Sequence, residues 1–309
     1  MLVLIAGITG SLGQRLATAA QARGLKVRGL GRSPDKLDPS ISQNLESFVK
    51  STSHEDIPAL DKAVAGVDAV ICAYAPIDVL TLDGCLLLLR AAERANIKIF
   101  IASSWNNDWS KIKFGDLEHY DTHISFENHA ALTSSIRPVY MFSGVFENFL
   151  LRFLGLGSFT MKDDKAVFRY WGDGHKHKQP WVTQDDAAAW TIEALLNGDG
   201  VRDRKGGFFR IPSGQNSIEG IAEAFGRVSG KPVELKRAGG IQELEDQVAV
   251  LRREKGRGDV WSYLPFVAEL LANKGAWEMD DADILKLGHV KKPSTLEEAL
   301  EQSIKTLPK

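Results

Sequence analysis

Four side chains in one short stretch have the types and spacing to move protons. His119, His123 and Glu127 stand four residues apart, with Tyr120 beside the first. In a helix the three fall on one face. A histidine titrates near neutrality and gives or takes a proton within a reach of about 3 Å, and Glu127 would orient His123 and raise its basicity. Adding hydride to a carbonyl, imine or polarised C=C bond needs such a donor for the proton that follows. The stretch reads equally as a solvated polar helix face. Histidines four apart also suggest zinc, but no third ligand stands at a clear spacing, so no metal is expected.

A second chemical signal lies at the start of the chain. Gly7-Ile8-Thr9-Gly10-Ser11-Leu12-Gly13 follows a short apolar run and opens a segment of helical composition. Glycines there let backbone approach a pyrophosphate, and the helix N-terminus offers unpaired N–H groups to it. An ordinary tight strand-to-helix turn is the alternative. At the end of the next apolar run an acidic residue would bind the ribose hydroxyls of NAD; this chain has Arg32-Ser33-Pro34-Asp35-Lys36 instead. Arg32 can grip a phosphate bidentately, and Ser33 and Lys36 can add donors, so NADP(H) is expected over NAD(H), unless the loop is only a basic surface.

The elements that must position these residues follow from the apolar pattern. Runs at 2–6, 26–30, 69–75, 97–102 and 137–142 read as buried strands, alternating with helical segments at 12–23 and 82–95. Such alternation predicts an α/β fold, a Rossmann-type doubly wound parallel sheet. Carboxyl ends of its strands border the cofactor crevice, which places Ala73, Tyr74, Ala75, Ser103 and Ser104 along the dinucleotide. Beyond 156 the texture changes to a hairpin over 158–171 with its turn at 162–164, then a polar loop, 172–179. That loop's His175-Lys176-His177-Lys178 reads as a solvated lid. A helix at 182–197 and a strand at 207–211 can rejoin the first sheet. Helices are expected at 217–228, 242–254, 267–273 and 295–306. The division is therefore a dinucleotide-binding domain at 1–155, to which 182–215 returns, and a smaller, mainly helical substrate-side domain made of 156–181 and 216–309. Aromatic residues gather on that side: Trp105, Phe142, Phe146 and Trp181 are candidate pocket walls, with Trp109, Phe149 and Phe153 near them in sequence. Core packing accounts for such residues equally well.

Composition narrows the classes. With 38 basic and 40 acidic side chains the net charge is −2, no field for capturing nucleic acid or anionic lipid. No apolar run approaches the roughly 18 residues of a membrane span. The apolar opening lacks a basic flank, and two cysteines are too few for a disulfide framework. A cytoplasmic protein acting on a small, aromatic molecule is expected, as a monomer or homodimer, without nucleic-acid or membrane partners.

An ordered set of motifs resembles the NmrA-like branch of the atypical short-chain dehydrogenase/reductases, near the isoflavone-reductase-like proteins. It comprises 3–13 with the glycine turn, 27–36 with Arg32, Ala65-Gly66-Val67-Asp68-Ala69-Val70-Ile71, 96–104, Gly144-Val145-Phe146-Glu147-Asn148-Phe149 and Trp181-Val182-Thr183-Gln184-Asp185-Asp186-Ala187-Ala188. The resemblance covers about 1–235 well and the helical C-terminal part loosely. It implies a Rossmann domain with a substrate region, NADP(H) in the groove and a pocket between them. Some members reduce C=C, C=O or benzylic ether groups of secondary metabolites; others are dinucleotide-responsive regulators. The superfamily's Tyr-x-x-x-Lys pair is missing, since Ile124 stands four after Tyr120. The lysine that isoflavone-reductase-like enzymes carry shortly before the strand at 137–142 is also absent from 119–129. By position, His123 takes its place as proton donor, with Tyr120 second. Three readings remain: an NADPH-dependent reductase, an enzyme of non-redox isomerisation that retains NADP(H), and an NADP-sensing regulator with a protein partner.

Overall fold

Alternate residues of the first strand enter opposite cores, which fixes the layering of the whole molecule. In the computed structural model, which describes residues 1–152, 159–279, 282–285, 287 and 291–307, Leu4 and Ala6 of β1 (Leu2–Ala6) pack into one apolar layer and Val3 and Ile5 into the other. A strand buried on both faces reads as a continuous apolar run, and that is the mark of a covered parallel sheet. The sheet continues with β2 (Lys26–Gly31), β3 (Ser47–Lys50), β4 (Ala69–Cys72), β5 (Ile99–Ile101) and β6 (Val139–Phe142). After β7 (Val145–Phe146), β8 (Phe159–Lys162), β9 (Lys165–Trp171) and β10 (Gln179–Val182), the chain returns to it as β11 (Gly207–Arg210). Seven parallel strands run in the order β11-β6-β5-β4-β1-β2-β3. Strand order reverses between β1 and β4, and in such sheets a crevice opens at that point.

Helices cover both faces. The eleven α-helices of the described residues are α1 (Ser11–Ala22), α2 (Pro39–Ser42), α3 (Ile57–Val64), α4 (Cys85–Arg94), α5 (Asp121–Thr133), α6 (Gln184–Asn197), α7 (Ile218–Ser229), α8 (Ile241–Lys255), α9 (Leu264–Asn273), α10 (Ala282–Leu285) and α11 (Leu296–Lys305). Helices α1 and α6 pack together on one face; α3, α4 and α5 lie on the other, extended by α8 and α9. Thr183 caps α6 by accepting from Asp186 N, as its place before that helix suggests. No helix among the described residues is long and apolar enough to cross a membrane.

The doubly wound sheet, the hairpin and the return of β11 match the sequence reading. Asp163 and Asp164 at the hairpin turn take positive φ, as short polar side chains tolerate. Four details differ. The strand read over 69–75 stops at Cys72, and 73–75 run on as irregular backbone. The helix read over 82–95 begins with a wide π turn, Leu80–Gly84. Strand β3 and helix α3 have no counterpart in the apolar pattern: β3 is a four-residue edge strand whose signal is too short to stand out. The C-terminal part is mainly helical, as expected, but carries two strands besides. There β12 (Gly214–Asn216) pairs with β10, and β13 (Val233–Gly239) runs parallel to β9, extending the hairpin into a three-stranded sheet. Strand β13 alternates weakly because most of its side chains are exposed.

Candidate functional site

Two openings adjoin at the carboxyl ends of the central strands. The first is a groove of about 400 Å³ lined by Gly7, Thr9, Gly10, Leu30, Gly31 and Arg32 on one side and Ala73, Tyr74, Ala75, Ile77, Val79 and Leu80 on the other. Its shape depends on glycine. Gly7 has φ +78°, and a Cβ there would stand 2.4 Å from the Ala73 carbonyl oxygen. A Cβ on Gly13 would fall 2.3 Å from the Gly7 carbonyl, so Gly13 lets α1 close on the strand. The N-terminus of α1 has no side-chain cap and no acidic residue in its first turn, which leaves the N–H groups of its first turn, from Ser11 through Gly13, unclaimed by side chains. That is the arrangement an anionic pyrophosphate fits. Arg32 stands exposed at the groove's end and makes no ion pair among the described residues, the condition for gripping a ribose phosphate.

Other cofactor candidates serve differently. The Ser11 side chain accepts from Arg15 outside the groove, and Leu12 packs into the α1–α6 core, so both offer backbone only. Ser33 precedes and Lys36 ends a short 3-10 turn, Pro34–Lys36, and neither lines the groove. The Ser103 hydroxyl donates to the Tyr74 carbonyl at 2.9 Å and steadies that wall. Ser104 is fully buried: its Oγ accepts from Met141 N at 2.7 Å and ties β5 to β6. It therefore faces the core, because side chains alternate along an extended chain. The groove also holds Ser51, Thr52, Ser53 and His54, just past β3. They escaped sequence reading because β3 itself did; the polar run after it was their only signal.

The second opening is a cavity of about 170 Å³. Its walls are aromatic and apolar, among them Trp105, Phe146, Phe149, Trp261 and Leu264, with Asn106, Asn107, His119 and Tyr120 as the polar groups. Among the described residues no Asp, Glu, Lys or Arg lines it. Pro76 closes it, directly after the three residues that wall the groove. Trp105 is fixed by donating from Nε1 to Thr191 Oγ1 at 2.9 Å. Trp261, which the sequence reading missed, sits 48% exposed with its ring 4.8 Å from that of His119. Nothing local marks it, since apart from its own neighbours Leu264 and Ala268 the other walls lie over a hundred positions away. Phe142 and Trp181 are core residues instead: Phe142 packs edge-on against Trp109, and Trp181 donates to Asn216 Oδ1. Trp109 is likewise buried, and Phe153 lies outside the described residues.

The proton-bearing residues separate on the same boundary. Helix α5 starts only at Asp121, so His119 and Tyr120 occupy the 3-10 turn Glu118–Tyr120 before it and reach the cavity. His123 is 3% exposed and lies behind them, with its Nε2 3.0 Å from Asn106 Nδ2. Burial pushes its imidazole down to about 3, with His119 adding to the effect, so the ring is neutral at working pH. It does not line the cavity, which departs from its expected place as the facing donor. Glu127 does not orient it, the ring's partner being Asn106; after burial, the Glu127 charge helps push the Tyr140 hydroxyl up. His119 is also lowered by burial, against the pull of Asp78, and its Nδ1 is buried without a hydrogen-bond partner. Burial pushes the Tyr120 hydroxyl upward, opposed by hydrogen bonding to Asn107, so it keeps its proton. The described residues contain no cluster of three or more metal-ligating side chains.

The sequence profile of the NmrA-like family matches residues 1–271. The chain belongs to that family. Among relatives of this NmrA-like chain, a bifunctional pinoresinol-lariciresinol reductase of Linum perenne is 28% identical over 246 residues, 75% of this chain and 76% of the relative. Bifunctional pinoresinol-lariciresinol reductase 2 of Thuja plicata is 30% identical over 241 residues, 74% and 75% of the two. A solved structure described as AtPrR2 with NADP+ and (+)pinoresinol superposes with a TM-score of 0.74 at 22% identity, covering 97% of this chain and 98% of that one. At that identity the likeness shows the shared Rossmann-type fold.

Proposed function

We propose that this NmrA-like protein is an NADP(H)-dependent reductase of an uncharged aromatic small molecule. The observation that carries the reading is the continuous wall 73–76: Ala73, Tyr74 and Ala75 face the groove, and Pro76 faces the aromatic cavity. A dinucleotide in the one and a ring in the other would meet across that wall. The relatives named as pinoresinol-lariciresinol reductases and the fold neighbour with NADP+ support both halves.

The residues fit their tasks. The open start of α1 and the glycines receive the pyrophosphate, and Arg32 distinguishes NADP(H) from NAD(H) by its charge-assisted contact. Bound NADPH supplies the hydride. Trp105, Phe146 and Trp261 hold an aromatic ring by broad apolar contact and exclude water, while the uncharged walls among the described residues disfavour an ionic ligand. Tyr120 keeps a proton on its hydroxyl and donates a hydrogen bond where negative charge develops. His119, on the same wall, relays the proton from solvent past the half-exposed Trp261. His123 is a positioning residue: its ring holds the side chain of Asn106, a cavity wall.

Titration calorimetry with the four dinucleotides, followed by NADPH consumption in the presence of neutral lignan-type compounds, tests the reading. Tight NADPH binding and ligand-dependent oxidation are expected. Product formed without NADPH loss would move the protein to the isomerase reading, and no dinucleotide binding would end the proposal.

A further inference from the structure

Cys72 closes β4 and Cys85 opens α4, both are buried, and their sulfurs lie 3.3 Å apart without a bond between them. The chain between them, 73–84, is the wall that separates groove from cavity: it carries Ala73, Tyr74, Ala75, Pro76, Ile77, Val79 and Leu80. The sulfur pair therefore sits at the base of the loop that both openings share. That loop ends in the π turn Leu80–Gly84, a rare wide turn directly ahead of α4. Gly84 packs against the Tyr74 ring, where a Cβ would meet it at 3.3 Å. Pulling Cys85 toward Cys72 would thus be felt at Tyr74, in the groove.

We propose that Cys72 and Cys85 are a modification site: they form a reversible intramolecular disulfide that locks the wall 73–84 and weakens dinucleotide binding. The effect on affinity rests on the reading of the groove given above; the bond itself does not. The oxidant is a hydroperoxide. One thiol gives up its proton and attacks the peroxide oxygen, releasing an alcohol or water and becoming a sulfenic acid. The second sulfur then displaces water from it, so two thiols lose two protons and two electrons while the peroxide is reduced to an alcohol or water. Burial, with Cys85 close by, pushes the Cys72 thiol well up, so it is inert while the wall is closed. Oxidation must follow opening of the wall, and a dinucleotide lying against Tyr74 opposes that opening. The bond is then slow to form in the liganded protein and faster in the free one.

The folded protein is treated with hydrogen peroxide with and without saturating NADP+, quenched by alkylation and digested without reductant. Expected is a cross-linked peptide pair containing Cys72 and Cys85, formed about tenfold more slowly with NADP+, together with about tenfold weaker NADP+ binding that dithiothreitol restores. Cys85→Ala should bind NADP+ as the wild type does and lose all response to peroxide. Thiols that are modified only after denaturation would overturn the proposal, as would a disulfide that leaves affinity unchanged. A reduced protein that does not bind NADP+ would refute the groove reading and the affinity effect together, while the mass of the linked peptides still scores the bond.

Discussion

The groove and the cavity share one wall but are built in opposite ways. The groove is made by backbone: glycines without side chains, the first turn of a helix, and consecutive residues on either side of the switch point between β1 and β4. The cavity is made by side chains brought from distant parts of the chain, from Pro76 to Ala268. A backbone site is sensitive to added atoms, and a side-chain site to removed ones.

The largest effect expected from that contrast comes from adding one methyl group. Gly7→Ala forces a positive φ on alanine and a 2.4 Å contact with the Ala73 carbonyl. It should abolish measurable NADPH binding in calorimetry and cost roughly 1–3 kcal/mol of stability. Loss of affinity without any change in the ligand cavity would sharpen the comparison; full binding would break it. Next comes removal at the cavity. Tyr120→Phe and His119→Phe keep the apolar bulk and delete the proton carriers, so kcat should fall about 10²- to 10⁴-fold in a reductase assay with NADPH affinity unchanged. Arg32→Ala should weaken NADPH by about 1.5–3 kcal/mol while leaving NADH as it was, since only the phosphate contact is lost.

These differences in construction also decide what the sequence could reveal. The turn from Gly7 to Gly13 and the basic Arg32 were legible because their partners are adjacent in the chain and the chemistry is local. The sheet was legible for the same reason: each strand bears its own apolar run, as Leu2–Ala6 does. The cavity was half legible. Trp105 and Phe146 line it, but Phe142 and Trp181 differ from them only in which way a strand residue points, and that depends on register. Their spacing puts His119 and His123 on one helix face; the helix begins two residues after His119, so one ring meets the cavity and the other is sealed behind Asn106. Ser51, Thr52, Ser53 and His54 depend on a strand too short to signal itself, and Trp261 on long-range packing.

The smallest expected effects are in the pH dependence of stability, and they report on the support behind the cavity. His123 is held neutral in the folded protein down to about pH 3, against an ordinary value of 6.5. The unfolded chain therefore binds the extra proton first, so stability is full above 6.5 and falls as pH drops toward 3. Glu269 behaves in the opposite sense. Burial raises its carboxyl from 4.5 to about 8, while its Oε1 accepts from Trp171 N at 3.0 Å. Its contribution is full below 4.5 and is lost as pH rises toward 8. Thermal unfolding across pH should show His123→Gln flattening the acid side and Glu269→Gln the alkaline side, each by a few degrees.

The central claim is that hydride passes across the shared wall from NADPH in the groove to a ring in the cavity. It is tested most directly by turnover with NADPH deuterated at the transferable position, using neutral aromatic compounds first shown to quench the fluorescence lost in Trp261→Phe. One deuterium in the product for each NADPH consumed is the predicted result. Compounds that bind at Trp261 yet leave NADPH intact, or give product without deuterium, would contradict it.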